Sequence, residues 1–388
     1  MSKKTKISRR QLLAAATGSV ILTACQTVPE ITEPITSEQP QEKIIVNPDS
    51  YNSVHLFASS GYAQDHSRIE LGINRLSQAG FSLANINAAY RRYQRFAGSD
   101  SERANDLIPI ANGALPTPKM LLGLRGGYGA MRFLPDINWA SLGDRMRERG
   151  TLLFGFSDVC AIQLALLAQG KMMSFAGPML YSEFGKPQAP EYTFQSFVNG
   201  MSNDIITVDV PSFTGKPLNI EGVFWGGNLS VLVSLIGTPY FPQIDGGILF
   251  LEDVGEQPYR LDRMFQQLAM SGCLKKQQAI VLGNFRMNSK NTDIYYASYD
   301  LPTVIADLRR IANIPVLLDF PFGHIVNKTT FPLGAVAKLT SNGERYTVAF
   351  SGYPRLEPER LNLSSLLPYQ GGVSSGLWED DTGSRWLP

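Results

Sequence analysis

Leu152-Leu153-Phe154-Gly155-Phe156-Ser157-Asp158-Val159 is an apolar run that stops at a serine, and the residues that follow, 159–169, read as a helix. A strand that ends on a serine and turns at once into a helix has the layout of a nucleophile elbow. The sharp turn lifts the hydroxyl above the sheet and aims the next backbone N–H at a reacting carbonyl oxygen. The G-x-S-x-G pattern is incomplete, because Val159 occupies the second glycine position. On these residues alone a Ser-Asp pair capping the helix N-terminus is an equally good account.

Outward from this stretch, short β-branched or apolar runs alternate with longer amphipathic ones, the pattern of an α/β chain. Upstream lie a strand-like run at 54–57, a helical stretch at 68–78 and a second strand-like run at 120–124, which leads into Arg125-Gly126-Gly127-Tyr128-Gly129. Downstream, a second block opens near Asn219. It holds strand-like runs at 247–251, 279–282, 336–339 and 346–350, with helices at 259–270 and 304–311. Residues 178–211, rich in Pro, Ser and Asn, mark the crossing between blocks. The expected organisation is an N-terminal α/β domain over 51–190, a linker over 191–210, a C-terminal α/β domain over 211–369 and a loosely docked tail over 370–388. The glycine-rich segment from Gly123 to Gly129 does not give the G-x-G-x-x-G spacing of a dinucleotide site.

A serine nucleophile needs a base near neutral pH, and imidazole is the natural one. The chain has 3 histidines. His55 sits in an apolar strand and His66 in a polar loop entering a helix, where structural roles suffice. His324 follows an apolar strand in the Pro/Gly-shaped loop Asp319-Phe320-Pro321-Phe322-Gly323-His324, the kind of loop that carries site residues in α/β folds. An acid is wanted to hold the imidazole's tautomer. Glu252 and Asp253 follow directly on an apolar run, where a charge is costly unless paired. They can equally pair with Arg260 or Arg263. Asn228 reads as a helix cap or a substrate contact, and Arg125 as a partner for a substrate carboxylate or an internal acid.

Five motifs in this order carry a family resemblance: Arg125-Gly126-Gly127-Tyr128-Gly129-Ala130; Gly155-Phe156-Ser157-Asp158; Gly226-Gly227-Asn228-Leu229 with Gly237-Thr238-Pro239; Leu251-Glu252-Asp253-Val254 with 258–263; and Phe322-Gly323-His324. Over residues 54–350 the chain resembles the LD-carboxypeptidase family of serine peptidases, which includes the microcin immunity peptidases. The resemblance implies two domains, an N-terminal nucleotide-binding-like parallel sheet carrying the serine and a C-terminal α/β domain carrying the glutamate and histidine. It implies Ser157, Glu252 and His324 as catalytic residues. The N–H groups of Asp158 and Gly127, with Gly126 as the alternative glycine, would form the oxyanion hole. Cleavage before the terminal D-alanine of murein tetrapeptides is the activity implied, with no cofactor and no metal. Two other readings stay open: a relative that hydrolyses a peptide antibiotic or peptidyl-nucleotide conjugate, and a wall-binding protein without catalysis.

Residues 1–25 read as an export signal. Lys3, Lys4, Lys6, Arg9 and Arg10, with no acid, precede an apolar run too short to span a membrane. Ser8-Arg9-Arg10 resembles a twin-arginine signal, and Leu22-Thr23-Ala24-Cys25 a lipobox whose Cys25 is lipidated. Residues 26–50, with Pro29, Pro34 and Pro40, read as an extended tether reaching on the order of 50 Å from a membrane. The expectation is therefore a periplasmic protein anchored to a membrane through its N-terminal lipid, on the outer membrane in a Gram-negative host. Removing the signal takes the formal charge from +1 to about −4, which disfavours nucleic acid as a partner. Cys160 and Cys273 make at most one disulfide and read as buried small hydrophobes. The sequence leaves monomer and homodimer open.

Overall fold

The computed structural model describes residues 51–287 and 293–367. The expected export signal with Cys25, the tether and the tail lie outside the described residues.

Strands are numbered along the chain. The first sheet contains β1 (Ser53–Phe57), β2 (Ser82–Ala84), β3 (Met120–Gly123), β4 (Leu152–Gly155) and β5 (Ser174–Ala176). They run parallel in the order β5-β4-β3-β1-β2. Residues of β1, β3, β4 and β5 are buried throughout, which is why these segments read as unbroken apolar runs. After β2 the chain crosses β1 to reach β3, so the loops after β1 and β3 part company at the carboxyl ends of the strands. Such a switch point opens a crevice suited to a ligand.

The second sheet contains β6 (Ile205–Val210), β7 (Pro217–Asn228), β8 (Gly247–Val254), β9 (Gln277–Arg286) and β10 (Val316–Leu317). After β11 (Phe331–Leu333), β12 (Ala335–Asn342) and β13 (Tyr346–Ser351) complete it in the order β10-β9-β8-β7-β12-β13-β6. The β7 to β10 half is parallel and the β7-β12-β13-β6 half antiparallel. Strand β6 alternates exposed and buried residues, as an edge strand with one covered face does.

Two features differ from the expected division. Residues 191–210 are no linker, since they form the helix Glu191–Ser202 and strand β6. Strand β11, from the C-terminal half, pairs antiparallel with β5 of the first sheet. One continuous core cluster spans both sheets. At its centre Phe331 packs its ring on Phe224, Phe250, Phe320, Phe322 and Phe350 at centroid distances of 5.0 to 5.8 Å.

The helix Cys160–Gly170, which starts at the elbow, is buried on nearly every side because it lies between the sheets. Its first residue, Cys160, donates its thiol to the Gly226 carbonyl of β7 at 3.6 Å. A Cβ at Gly227 would come within 2.7 Å of that sulfur, so the glycine lets β7 approach. This contact sets the end of β4 beside the ends of β7 and β8. Cys160 and Cys273 are free and buried.

Candidate active site

Ser157 adopts φ +61, a left-handed conformation that few non-glycine residues hold. It starts the one-turn 3-10 segment Ser157–Val159 that leads into the helix Cys160–Gly170. The turn is possible because residue 155 is glycine: a Cβ there would stand 2.8 Å from Val159 Cβ and closer still to its Cγ1. Val159 in the second glycine position is therefore accommodated by the first. Ser157 caps nothing. Its hydroxyl donates to His324 Nε2 at 3.0 Å, so the capping account of the Ser-Asp pair does not hold.

His324 stands midway along the loop between β10 and β11. The loop is pressed onto β9: the Asn284 N–H donates to the Phe322 carbonyl at 2.8 Å, and Gly323 takes φ +140 where a Cβ would meet the Asn284 carbonyl at 3.0 Å. Phe156 meets the imidazole edge-on with centroids 5.4 Å apart. His324 Nδ1–H donates to Glu252 Oε2 at 2.9 Å, which leaves Nε2 as the acceptor facing Ser157. Glu252 lies inside β8 and is 1 % exposed, so its charge is sustained by partners rather than by water. A carboxylate, an imidazole and a hydroxyl are thus linked in series, each from a different loop or strand end.

The glycine loop after β3 closes the other side. A Cβ on Gly126 would fall 2.6 Å from Ser157 Oγ, so only glycine leaves the hydroxyl its place. Gly127 takes φ +131 and packs against Gly61, whose N–H donates to the Gly126 carbonyl at 3.3 Å. No hydrogen bond engages the Gly127 N–H among the described residues. The N–H of Asp158, in the first turn, has no partner within the helix by geometry. Both stand beside the serine.

Two family models match the chain, the LD-carboxypeptidase N-terminal domain over residues 54–177 and the LD-carboxypeptidase C-terminal domain over 221–339. The fold matches a crystal structure of a muramoyltetrapeptide carboxypeptidase from Oxalobacter formigenes, with TM-score 0.70, 36% identity, 78% of this chain and 99% of the other covered. The chain belongs to the LD-carboxypeptidase family. It is a serine-type carboxypeptidase, a hydrolase. A murein tetrapeptide carboxypeptidase of Pseudomonas aeruginosa is 29% identical over 66% of this chain and 82% of its own length. The microcin C7 self-immunity protein of Escherichia coli is 24% identical over 73% of this chain and 89% of its own.

In this carboxypeptidase Asn228 caps the helix Leu229–Ser234 and does more than cap it. Its side-chain oxygen accepts from the Val231 N–H at 3.2 Å and from the Ser230 hydroxyl, while its amide donates to Glu252 Oε1 and to Asp253 Oδ1, both at 3.2 Å. It is 4 % exposed and holds the carboxylate that holds the imidazole. Asp253 accepts from the N–H groups of Ser230 and Val254, and pairs with neither Arg260 nor Arg263 among the described residues. Burial, followed by the charge of Glu252, pushes its carboxyl up to about 7.

Burial likewise raises Asp158, while the Ser60 hydroxyl at 2.7 Å and the Ala130 N–H at 2.9 Å work against it. Through this carboxylate the loops after β1 and β3 are tied to the elbow. Ser60 carries no mark of this role in the sequence, where an isolated serine after a strand gives no signal of a partner 98 residues away. Arg125 donates to the carbonyls of Tyr62 at 3.1 Å and Gly126 at 3.2 Å, and burial lowers its pKa. His55 is committed to the Asp106 carbonyl at 2.9 Å, and His66 to an edge-on contact with Tyr90.

Proposed function

We propose that this LD-carboxypeptidase removes the terminal D-alanine from murein tetrapeptides by acyl transfer through Ser157, His324 and Glu252. The observation that carries the reading is the unbroken hydrogen-bonded series from the Ser157 hydroxyl to the buried Glu252 carboxylate. Ser157 Oγ attacks the carbonyl carbon of the diamino acid as its proton passes to His324 Nε2. The new oxyanion is met by the N–H groups of Gly127 and Asp158, each worth about 3 kcal/mol in the transition state. As the C–N bond breaks, His324 returns the proton to the amine of D-alanine. Water, deprotonated by His324, then attacks the acyl-serine and frees the tripeptide carboxylate. Glu252 holds the imidazole's tautomer and stabilises its protonated form.

Export and lipidation at Cys25 belong to the same proposal, supported by the basic, acid-free start and the Ala24-Cys25 ending. They set the enzyme at the periplasmic face of a membrane, near intact wall. The murein reading is preferred to the microcin-type one on two grounds. An exported enzyme meets wall peptide rather than a cytoplasmic antibiotic, and the short span between Pro239 and Glu252 leaves little room for a large substrate-specific insertion there. The test is incubation of the purified chain with murein tetrapeptide, pentapeptide and a peptidyl-nucleotide conjugate, followed by mass spectrometry. Tripeptide and D-alanine from the tetrapeptide alone support the proposal. Cleavage of the conjugate alone transfers it to the microcin-type reading, and inertness toward all three to the non-catalytic one.

A further inference from the structure

Beside the glycine loop the chain builds a small hairpin bearing two arginines that no carboxylate pairs with among the described residues. Residues Tyr93 and Phe96 exchange both backbone hydrogen bonds at 2.9 Å across a two-residue turn, and Gln94 is held there at φ +52. The hairpin is fixed to the loop after β1: Gly61 bridges Phe96, and the Ala97 N–H donates to the Ser60 carbonyl at 3.0 Å. From it Arg92 lies over the ring of Tyr62 at 4.2 Å and Arg95 over the ring of Tyr128 at 5.5 Å. Tyr62 follows Gly61, and Tyr128 follows Gly127; these two glycines pack together next to Gly126, the glycine against Ser157.

The other cations in this region are committed. Arg125 donates to two carbonyls, Arg68 to those of Tyr181 and Gly185, Arg103 and Arg132 pair with Asp100, and Lys328 is buried against Glu183. Arg92 and Arg95 are exposed and have no carboxylate partner among the described residues. Stacking on tyrosine orients a guanidinium without using its N–H groups, so both keep their donor forks open. A left-handed non-glycine residue in the supporting turn is the kind of local strain that persists where a geometry is held for use. The positive charge of Arg95 is also felt at Asp158, next to the nucleophile.

We infer that Arg92 and Arg95 form the subsite that recognises the terminal carboxylate of the substrate peptide and so restrict cleavage to the last residue. This deepens the function proposed above and rests on it for the identity of the peptide. In a carboxypeptidase the free carboxylate lies one residue past the scissile carbonyl, roughly 3.5 Å further along the chain. Gly126, whose Cβ position meets Ser157, accepts the Gly61 N–H and precedes Gly127, so the two tyrosines carrying the arginines rise from the two loops that meet at the serine. Arginine suits the task because its planar fork meets a carboxylate with two parallel hydrogen bonds.

The test separates recognition from cleavage. In the full-length Ser157→Ala chain, calorimetry should find murein tetrapeptide bound roughly tenfold or more tighter than its C-terminal carboxamide, the size expected for charged hydrogen bonds at an exposed site. Adding Arg92→Gln and Arg95→Gln should abolish that ratio by weakening the acid and sparing the amide. The double Lys variant should keep part of it, and raised salt should shrink it in the parent. A ratio that survives the double Gln change, a parent without acid preference, or failure of both peptides to bind overturns the inference. Arg95→Gln alone, expected to halve the logarithm of the ratio, serves if the double variant unfolds. D-alanine release by the unmutated chain is measured separately: its absence beside an intact acid preference would remove the murein cleavage reading and leave the subsite standing.

Discussion

Glu252→Gln is the substitution whose outcome the geometry specifies most closely. The glutamine is isosteric, but its amide has one acceptor and one donor end, and the surroundings choose between them. At present Oε1 accepts from the Asn228 amide at 3.2 Å and Oε2 from His324 Nδ1–H at 2.9 Å. Asn228 cannot turn over to accommodate a donor, because its own oxygen is engaged by the Val231 N–H and the Ser230 hydroxyl. The new amide oxygen must therefore face Asn228, and its NH2 must face the imidazole. His324 Nδ1 becomes an acceptor, the ring proton moves to Nε2, and Nε2 can no longer take the proton of Ser157. Losing the correct tautomer in a serine-histidine-acid triad costs about 10⁴ in turnover, or about 5.4 kcal/mol. We expect kcat for D-alanine release to fall by 10³ to 10⁴, on the order stated for that loss, with KM and melting temperature little changed. Adding Asn228→Ala should allow the amide to turn and recover roughly tenfold of the loss, against about 1 kcal/mol of lost capping stability. A folded Glu252→Gln enzyme within tenfold of wild-type turnover would refute this reasoning.

Further outcomes follow from contacts in the same structure. Gly155→Ala places a methyl 2.8 Å from Val159 Cβ and should cost about 1–3 kcal/mol in calorimetric stability along with most activity, and a second change, Val159→Gly, which removes that Cβ, should return part of both. Gly126→Ala puts a Cβ 2.6 Å from Ser157 Oγ and should reduce turnover at least about a hundredfold in a folded protein, since the hydroxyl must leave His324. Lys328→Met strands the buried Glu183 and should destabilise by about 3–5 kcal/mol in chemical denaturation, whereas Lys328→Met with Glu183→Leu should recover much of that. Asp253 supplies a pH signature: folding raises its carboxyl from 3.8 to about 7, so between these values the folded state holds a proton that the unfolded chain has released. Its contribution to stability therefore falls as pH rises through that window and is flat above it. Glu252→Gln removes the second cause of the rise and should lessen the fall in a melting-temperature profile between pH 3.8 and about 7.

The buried parallel strands were legible because covering on both faces leaves an unmistakable apolar run, as at 54–57, 120–124 and 247–251. Glu252 stands out for the same reason, as a carboxylate where such a run ought to continue. The helix Glu191–Ser202 is masked in the sequence although Thr193, Phe194, Phe197, Gly200 and Met201 recur at helical spacing, because Pro187, Pro190 and Pro211 give the segment the composition of a linker. Strand β11 could not be assigned to the first sheet from sequence: which sheet three residues join depends on the packing of Phe331, a property of the assembled core. Ser157, His324 and Glu252 stand out in the sequence as chemical types in suggestive loops, but their meeting is a product of topology. The Asn228 amide and the Ser60 hydroxyl were not readable as supports, since each acts on a carboxylate 24 or 98 residues distant.

The most direct test of the account is the rate of D-alanine release from murein tetrapeptide by the full-length chain and by its Ser157→Ala variant, matched for fold by melting temperature. Release by the wild type with loss of at least about a thousandfold in the variant is the predicted result for removal of a nucleophile. Equal release by both chains would contradict it and take Ser157 out of the chemistry.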